Sequence, residues 1–137
     1  MKVTGGCHCG AIKYEAEVEP QKVVICHCSA CQQLSGSPFR AVAFTEPNSF
    51  RLLAGEPKIY VKIAESGRKR EQSFCGTCGT PIYAAPVEAE KPVVGLRVGT
   101  INERALLPPT RQIWTSAALP WANDCTSLPG IPGQPQG

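Results

Sequence analysis

Apolar and polar residues alternate early in the chain. Ile12, Tyr14, Ala16 and Val18 are separated by Lys13, Glu15 and Glu17, the period-two pattern of a half-buried strand. Pro20 ends that run, and Lys22-Val23-Val24-Ile25 predicts a second strand that delivers Cys26. The segment 29–35 predicts one or two helical turns, with Ser29 as N-cap and Gln32 at the capping-box position, stopped by Gly36-Ser37-Pro38. Further short strands are predicted over 39–44, 50–54, 58–63, 70–74, 93–101 and 111–115, with Glu65-Ser66-Gly67 as a hairpin turn, while Thr80-Pro81-Ile82-Tyr83-Ala84 leads away from the last cysteines. Gly95 and Gly99 are weak points or bulges in the strand that holds them. The pattern predicts an all-β domain of short antiparallel strands with few or no helices. No linker divides the chain. A single domain is expected over 1–126, followed by an irregular Pro/Gly-rich tail over 127–137.

Composition agrees with one small globular domain and a modest core. Hydrophobic residues make up 42% of the 137 residues and charged residues 18%, which argues against disorder. Thirteen Gly and thirteen Pro imply frequent turns and exclude long helices. The N-terminus has no apolar signal core, and no stretch approaches the roughly 18 apolar residues of a membrane span. The expected setting is the cytoplasm, with no membrane partner.

That setting changes how the cysteines are read. Seven of the eight fall in three clusters: Cys7-His8-Cys9, Cys26-His27-Cys28-Ser29-Ala30-Cys31, and Cys75-Gly76-Thr77-Cys78-Gly79. In a reducing compartment such spacings indicate metal ligands, and thiolate-rich sets suit tetrahedral zinc. A disulfide framework is the rival, since eight is an even number. In extended chain, residues i and i+2 share a side. Cys7 and Cys9 can therefore face one ion, as can Cys26 and Cys28, while His8 and His27 point away. Each histidine reads as a half-buried polar side chain, with His27 able to tune a ligand from behind. Cys75-Gly76-Thr77-Cys78-Gly79 resembles a zinc knuckle, which supplies two ligands. Cys7 and Cys9 would complete a four-cysteine site with it. Spacing equally admits Cys26 and Cys28 in that place. Under the first division, Cys26, Cys28 and Cys31 hold a second ion with a fourth position open to a thiol, which zinc would hold as a thiolate.

Charge bears on partners. The formal charge is +3, but seven bound thiolates with two Zn²⁺ bring three net negative charges and offset it. The holo chain is then near neutral, which gives no support to nucleic-acid binding. Arg68-Lys69-Arg70 reads as a solvated loop, Trp114 and Trp121 as packing residues, and Cys125 as a free thiol.

The runs Gly6-Cys7-His8-Cys9-Gly10, Cys26-His27-Cys28-Ser29-Ala30-Cys31 and Phe74-Cys75-Gly76-Thr77-Cys78-Gly79-Thr80-Pro81-Ile82-Tyr83 together resemble the glutathione-dependent formaldehyde-activating enzyme (GFA) family, which has centromere protein V as a relative. The resemblance runs from about Gly5 to Trp121. It implies a β-tent fold and two zinc ions per chain. Carried over by motif, Cys7, Cys9, Cys75 and Cys78 hold a structural zinc, and Cys26, Cys28 and Cys31 a catalytic one. It further implies a carbon–sulfur lyase of the S-(hydroxymethyl)glutathione synthase type, acting on an adduct of glutathione or another thiol with formaldehyde or a related carbonyl. His27 is a candidate for proton transfer. If glutathione is the thiol, Arg40, Arg51 and Arg97 are candidate partners for its carboxylates. One departure stands out: Gln112 precedes Ile113-Trp114 where the family often carries a histidine, and an amide does not titrate near neutral pH. That departure sustains an alternative, a non-catalytic zinc module that binds a protein partner or a thiol metabolite.

Overall fold

The computed structural model describes residues 1–136. Its long central strand, Lys13–Cys26 (β2), organises the rest. Ile12, Tyr14, Ala16 and Val18 all lie at or below 3% exposure, as the alternation predicts. Burying side chains of this size contributes about 1.5–3 kcal/mol for each of the larger ones. The strand does not end at Pro20. Its pairing with Arg40–Thr45 (β3) is broken between Val18 and Val23. The proline sits in that irregularity, where its missing N–H leaves no ladder bond unmade.

β2 therefore serves two neighbourhoods. Its first half pairs antiparallel with Lys2–Gly6 (β1) and with Arg51–Ala54 (β4). Its second half pairs antiparallel with β3 and parallel with Arg111–Ile113 (β9). From β3 the sheet continues through Gly95–Arg97 (β8), Pro81–Pro86 (β7) and Lys69–Phe74 (β6) to an edge at Lys58–Ile63 (β5). The order β1-β2-β3-β8-β7-β6-β5 is antiparallel at every step. One α-helix, Ser29–Ser35 (α1), and four short 3₁₀ turns complete the described residues. The all-β expectation holds. No helix is long and apolar enough to cross a membrane.

Three local expectations are corrected. β1 was not foreseen, because Val3 is its only large apolar residue. Its outer side is closed from a distance instead, by Asn102 N–H on the Thr4 carbonyl (2.8 Å) and by the Thr4 N–H on Glu103 Oε1 (2.6 Å). The predicted strand 93–101 shrinks to β8, because the chain turns into a 3₁₀ helix at Val98–Thr100. The N-cap of α1 is Cys28, not Ser29: its Sγ accepts the Cys31 N–H at 3.3 Å.

The core gathers Val3, Tyr14, Val23, Ile82, Leu96 and Ile101 from both halves, and the Cys75 side chain reaches into it. Past Cys125–Ser127 the described residues form no further helix or strand, and Gly137 lies outside them.

Candidate metal centres and their surroundings

Cys7 and Cys9 lie in the turn that leaves β1. Cys75 and Cys78 lie in the turn between β6 and β7. The β-ladders bring these turns together, and the four Sγ atoms all fall within 4.8 Å of one another. Cys7 and Cys9 sulfurs are 3.6 Å apart, and those of Cys9 and Cys75 are 3.8 Å apart. Four thiolates around one ion at a Zn–S distance of about 2.3 Å would sit about 3.8 Å apart along each edge of the tetrahedron. The donor set and its spacing fit that ion.

The backbone favours the thiolates here. Ile12 N–H points at Cys7 Sγ (3.2 Å), and Thr77 N–H at Cys75 Sγ (3.4 Å). Thr80 Oγ1 lies 3.2 Å from Cys78 Sγ, and hydrogen bonds from Thr80 come first among the causes that hold the Cys78 thiol down to about 5. The tight turn closes with Gly79 N–H on the Cys75 carbonyl at 2.8 Å. Gly79 has φ +80°, a left-handed backbone that a side chain would strain.

The second group is assembled locally. Cys26 ends β2, Cys28 caps α1 and Cys31 sits in its first turn. Their three Sγ atoms lie within 4.8 Å of one another, with no fourth His, Cys, Asp or Glu in the group among the described residues. Cys26 and Cys31 are buried and Cys28 is partly open. The hydrogen bond with Cys26 holds the Cys31 thiol down to about 5 against its burial, and the Arg40 charge assists. The same pairing, with burial, pushes Cys26 up. Three soft donors with a free fourth direction fit zinc with an exchangeable ligand. Cys125 is exposed and belongs to neither group, and all eight thiols are free of disulfides.

His8 is exposed, whereas His27 is fully buried rather than half-buried. His27 Nε2 lies 2.7 Å from Gln112 Oε1, and its ring meets Phe39 edge-on. An amide oxygen only accepts, so Nε2 carries the proton in this arrangement. The histidine N–H of the main chain bonds to the Ile113 carbonyl at 3.1 Å. β9 therefore holds His27 from behind, through a parallel pairing that spacing along the chain could not reveal.

One cavity borders this group through Cys28, and a second holds Arg40, whose charge bears on Cys31. The first, of about 590 Å³, is lined by Cys28, Lys62, Glu65, Ser66 and Trp114. Trp114 has φ +56°, strained for a bulky residue, and its side chain is exposed. The other, of about 460 Å³, is lined by Arg40, Arg97, Gln72, Leu34 and Phe74 among others. Of the three arginines considered from sequence, Arg40 and Arg97 come together there, while Arg51 lies apart on exposed β4.

The family follows from comparison with known proteins. The sequence profile of the glutathione-dependent formaldehyde-activating enzyme family matches residues 2–117. The chain belongs to that family. A protein of Schizosaccharomyces pombe described as an uncharacterized lyase is 35% identical over 88 residues, which cover 64% of this chain and 61% of that protein. The match thus spans less than two thirds of that relative's length. A crystal structure of a Rhodobacter sphaeroides protein shares the fold, with a TM-score of 0.59 at 22% identity, over 80% of this GFA-family chain and 98% of that one.

Proposed function

We propose that this protein is a zinc-dependent carbon–sulfur lyase that joins a thiol, such as glutathione, to formaldehyde or a related carbonyl, and reverses that joining. The observation that carries the reading is the three-thiol group of Cys26, Cys28 and Cys31, short of a fourth protein ligand and bordering a cavity through Cys28. Cys7, Cys9, Cys75 and Cys78 hold the structural ion in this reading. Zn²⁺ at the three-cysteine group would supply a Lewis-acidic position that favours the thiolate form of an added thiol.

The chain's own residues do the rest. In the joining direction the substrate sulfur bonds to the carbonyl carbon, the C=O π bond opens, and the thiol proton ends on the new hydroxyl. Family membership and the relative's description as a lyase support this reaction class. His27 is buried against Gln112 and orients the Cys26–Cys28 segment rather than touching substrate. Lys62 and Glu65 are the titratable side chains that line the cavity beside Cys28, and with water they move the proton.

The test compares the rate at which thiol and formaldehyde combine, above the uncatalysed rate, in wild type and in Cys28→Ser. The variant should keep its fold and lose most of the acceleration. An unchanged acceleration in a folded variant would overturn the reading.

A further inference from the structure

β5 ends the path of the sheet, and it pairs with β6 alone. Ile59, Tyr60, Val61 and Ile63 are 44% to 67% exposed, a large apolar load for an edge strand of six residues. The tail of the chain does not cover it, since Leu128 and Ile131 are exposed as well. The hairpin fixes which backbone groups the edge presents. Ala64 N–H bonds to the Arg68 carbonyl at 2.8 Å, so Lys58, Tyr60 and Lys62, which alternate with it, turn their N–H and C=O groups toward β6. Those of Ile59, Val61 and Ile63 point to the open edge.

A second copy of this chain fits that edge in one register. Two copies of a strand related by a two-fold axis run antiparallel, and the outward groups oblige odd-numbered residues to face odd-numbered ones. With the axis at Val61, Val61 meets Val61 and Ile59 meets Ile63 of the second copy. Each of these pairs would exchange both its hydrogen bonds, and their side chains would form one apolar stripe. On the opposite face Lys62 meets the second copy's Tyr60, an ammonium against an aromatic ring. A slip of one pleat either way is worse. One slip sets Lys58 opposite Lys62, and the other sets Lys62 opposite Lys62. Directly opposed like charges destabilise a ladder, and Lys62 already lies across from Arg70 on β6. Longer slips shorten the ladder, and Pro57 has no N–H with which to extend it. The lysines that commonly guard an edge thus leave a single pairing open. That pairing reaches the cavity beside Cys28, because Lys62 is one of its lining residues.

We propose that this protein forms a two-fold dimer through antiparallel pairing of β5 with β5, centred on Val61, and that the second copy's Tyr60 adds a wall to the cavity beside Cys28. The dimer depends on no particular reaction at the cysteine group. One strand pair is small beside the roughly 1,200–2,000 Å² of a standard interface, so the association should vary with concentration, with a dissociation constant of about 10 µM.

The test is analytical ultracentrifugation of the full, zinc-loaded chain over a concentration series that spans that constant. Wild type should pass from the mass of one chain to that of two. Val61→Lys brings two cations together at the axis and should weaken association about tenfold or more. Val61 is exposed, so the variant should fold, which circular dichroism checks. Leu53→Lys, on the exposed strand β4, is the control and should associate as wild type does. Cross-linking then reads the register, in a Cys125→Ser chain with cystamine as oxidant. Facing residues of a hydrogen-bonded pair stand about 5.5 Å apart at Cα, within reach of a disulfide. Val61→Cys should therefore link two chains, and Ile59→Cys should not. Wild type that keeps the mass of one chain at about tenfold the expected constant would overturn the proposal, and would leave the edge to a strand from a different protein. A dimer that survives Val61→Lys, or that is lost in Leu53→Lys alone, would place the interface elsewhere and overturn it too. Linking through Ile59→Cys but not Val61→Cys would refute the register and with it the place of Tyr60.

Discussion

Cys9 and Cys75 stand 66 positions apart in the chain, and their sulfurs lie 3.8 Å apart. An ion held there ties the turn after β1 to the turn between β6 and β7, and so links the β1 edge of the sheet to strands five and more places along its path. Losing one of its thiols leaves that link open. Cys75→Ser should cost about 4 kcal/mol or more, a large part of the stability of a domain this size. Cys28→Ser should cost much less, because Cys28 lies on a locally formed segment beside a cavity. Denaturant titration of both variants checks the order; equal losses would contradict it.

Gln112 accepts from His27 Nε2 at 2.7 Å. Gln112→Leu would leave a fully buried imidazole N–H without a partner. The expected cost is about 1–3 kcal/mol, read as a lower melting temperature, and the three-cysteine group should hold zinc less tightly. Gln112→Glu keeps an acceptor and should be milder. A leucine variant as stable as wild type would show that the bond carries no weight.

Gly5 faces Tyr14 across the β1–β2 ladder, and a Cβ there would collide with the Tyr14 ring and the Thr100 carbonyl. Both neighbours are fixed, since the Tyr14 hydroxyl bonds to Thr100 Oγ1 at 2.8 Å. Gly5→Ala should destabilise by about 1–3 kcal/mol through overpacking, measured by thermal unfolding. Gly133→Ala, in open surroundings, is the control and should change nothing measurable.

Tyr14 also sets an alkaline limit. Burial, the largest cause, pushes its hydroxyl from the usual 10 up to about 12, with Thr100 opposing. The unfolded chain releases that proton first, so the folded state binds more protons between about pH 10 and 12 and stability falls there as pH rises. The contribution is complete below pH 10. Tyr14→Phe removes the titrating group, so its stability should fall less steeply across that window than wild type. Parallel slopes would contradict the assignment.

What the sequence made legible followed local physics. The alternation from Ile12 to Val18 is a property of neighbouring residues, and those side chains are buried as it requires. The cysteine spacings told which sulfurs could share an ion, and left open which pair joins Cys75 and Cys78. That choice is made by β-ladders linking segments far apart in sequence. β1 escaped notice because one valine and two glycines show little pattern, and its partners at residues 101–103 are distant. The Gln112–His27 bond and the meeting of Arg40 with Arg97 have the same origin: β9 and β8 reach β2 and β3 through pairings that no local period encodes. Cys28 as helix cap was missed for a chemical reason, since a thiol is not among the preferred capping groups.

The central claim is that this chain holds two metal ions, one of them by three thiols alone. Zinc per chain, measured by elemental analysis after zinc add-back and removal of excess, tests it most directly. Wild type should hold two zinc ions, and a folded Cys26→Ser/Cys31→Ser variant should hold one. A wild type that saturates at a single zinc, or a double variant that still holds two, would contradict the account.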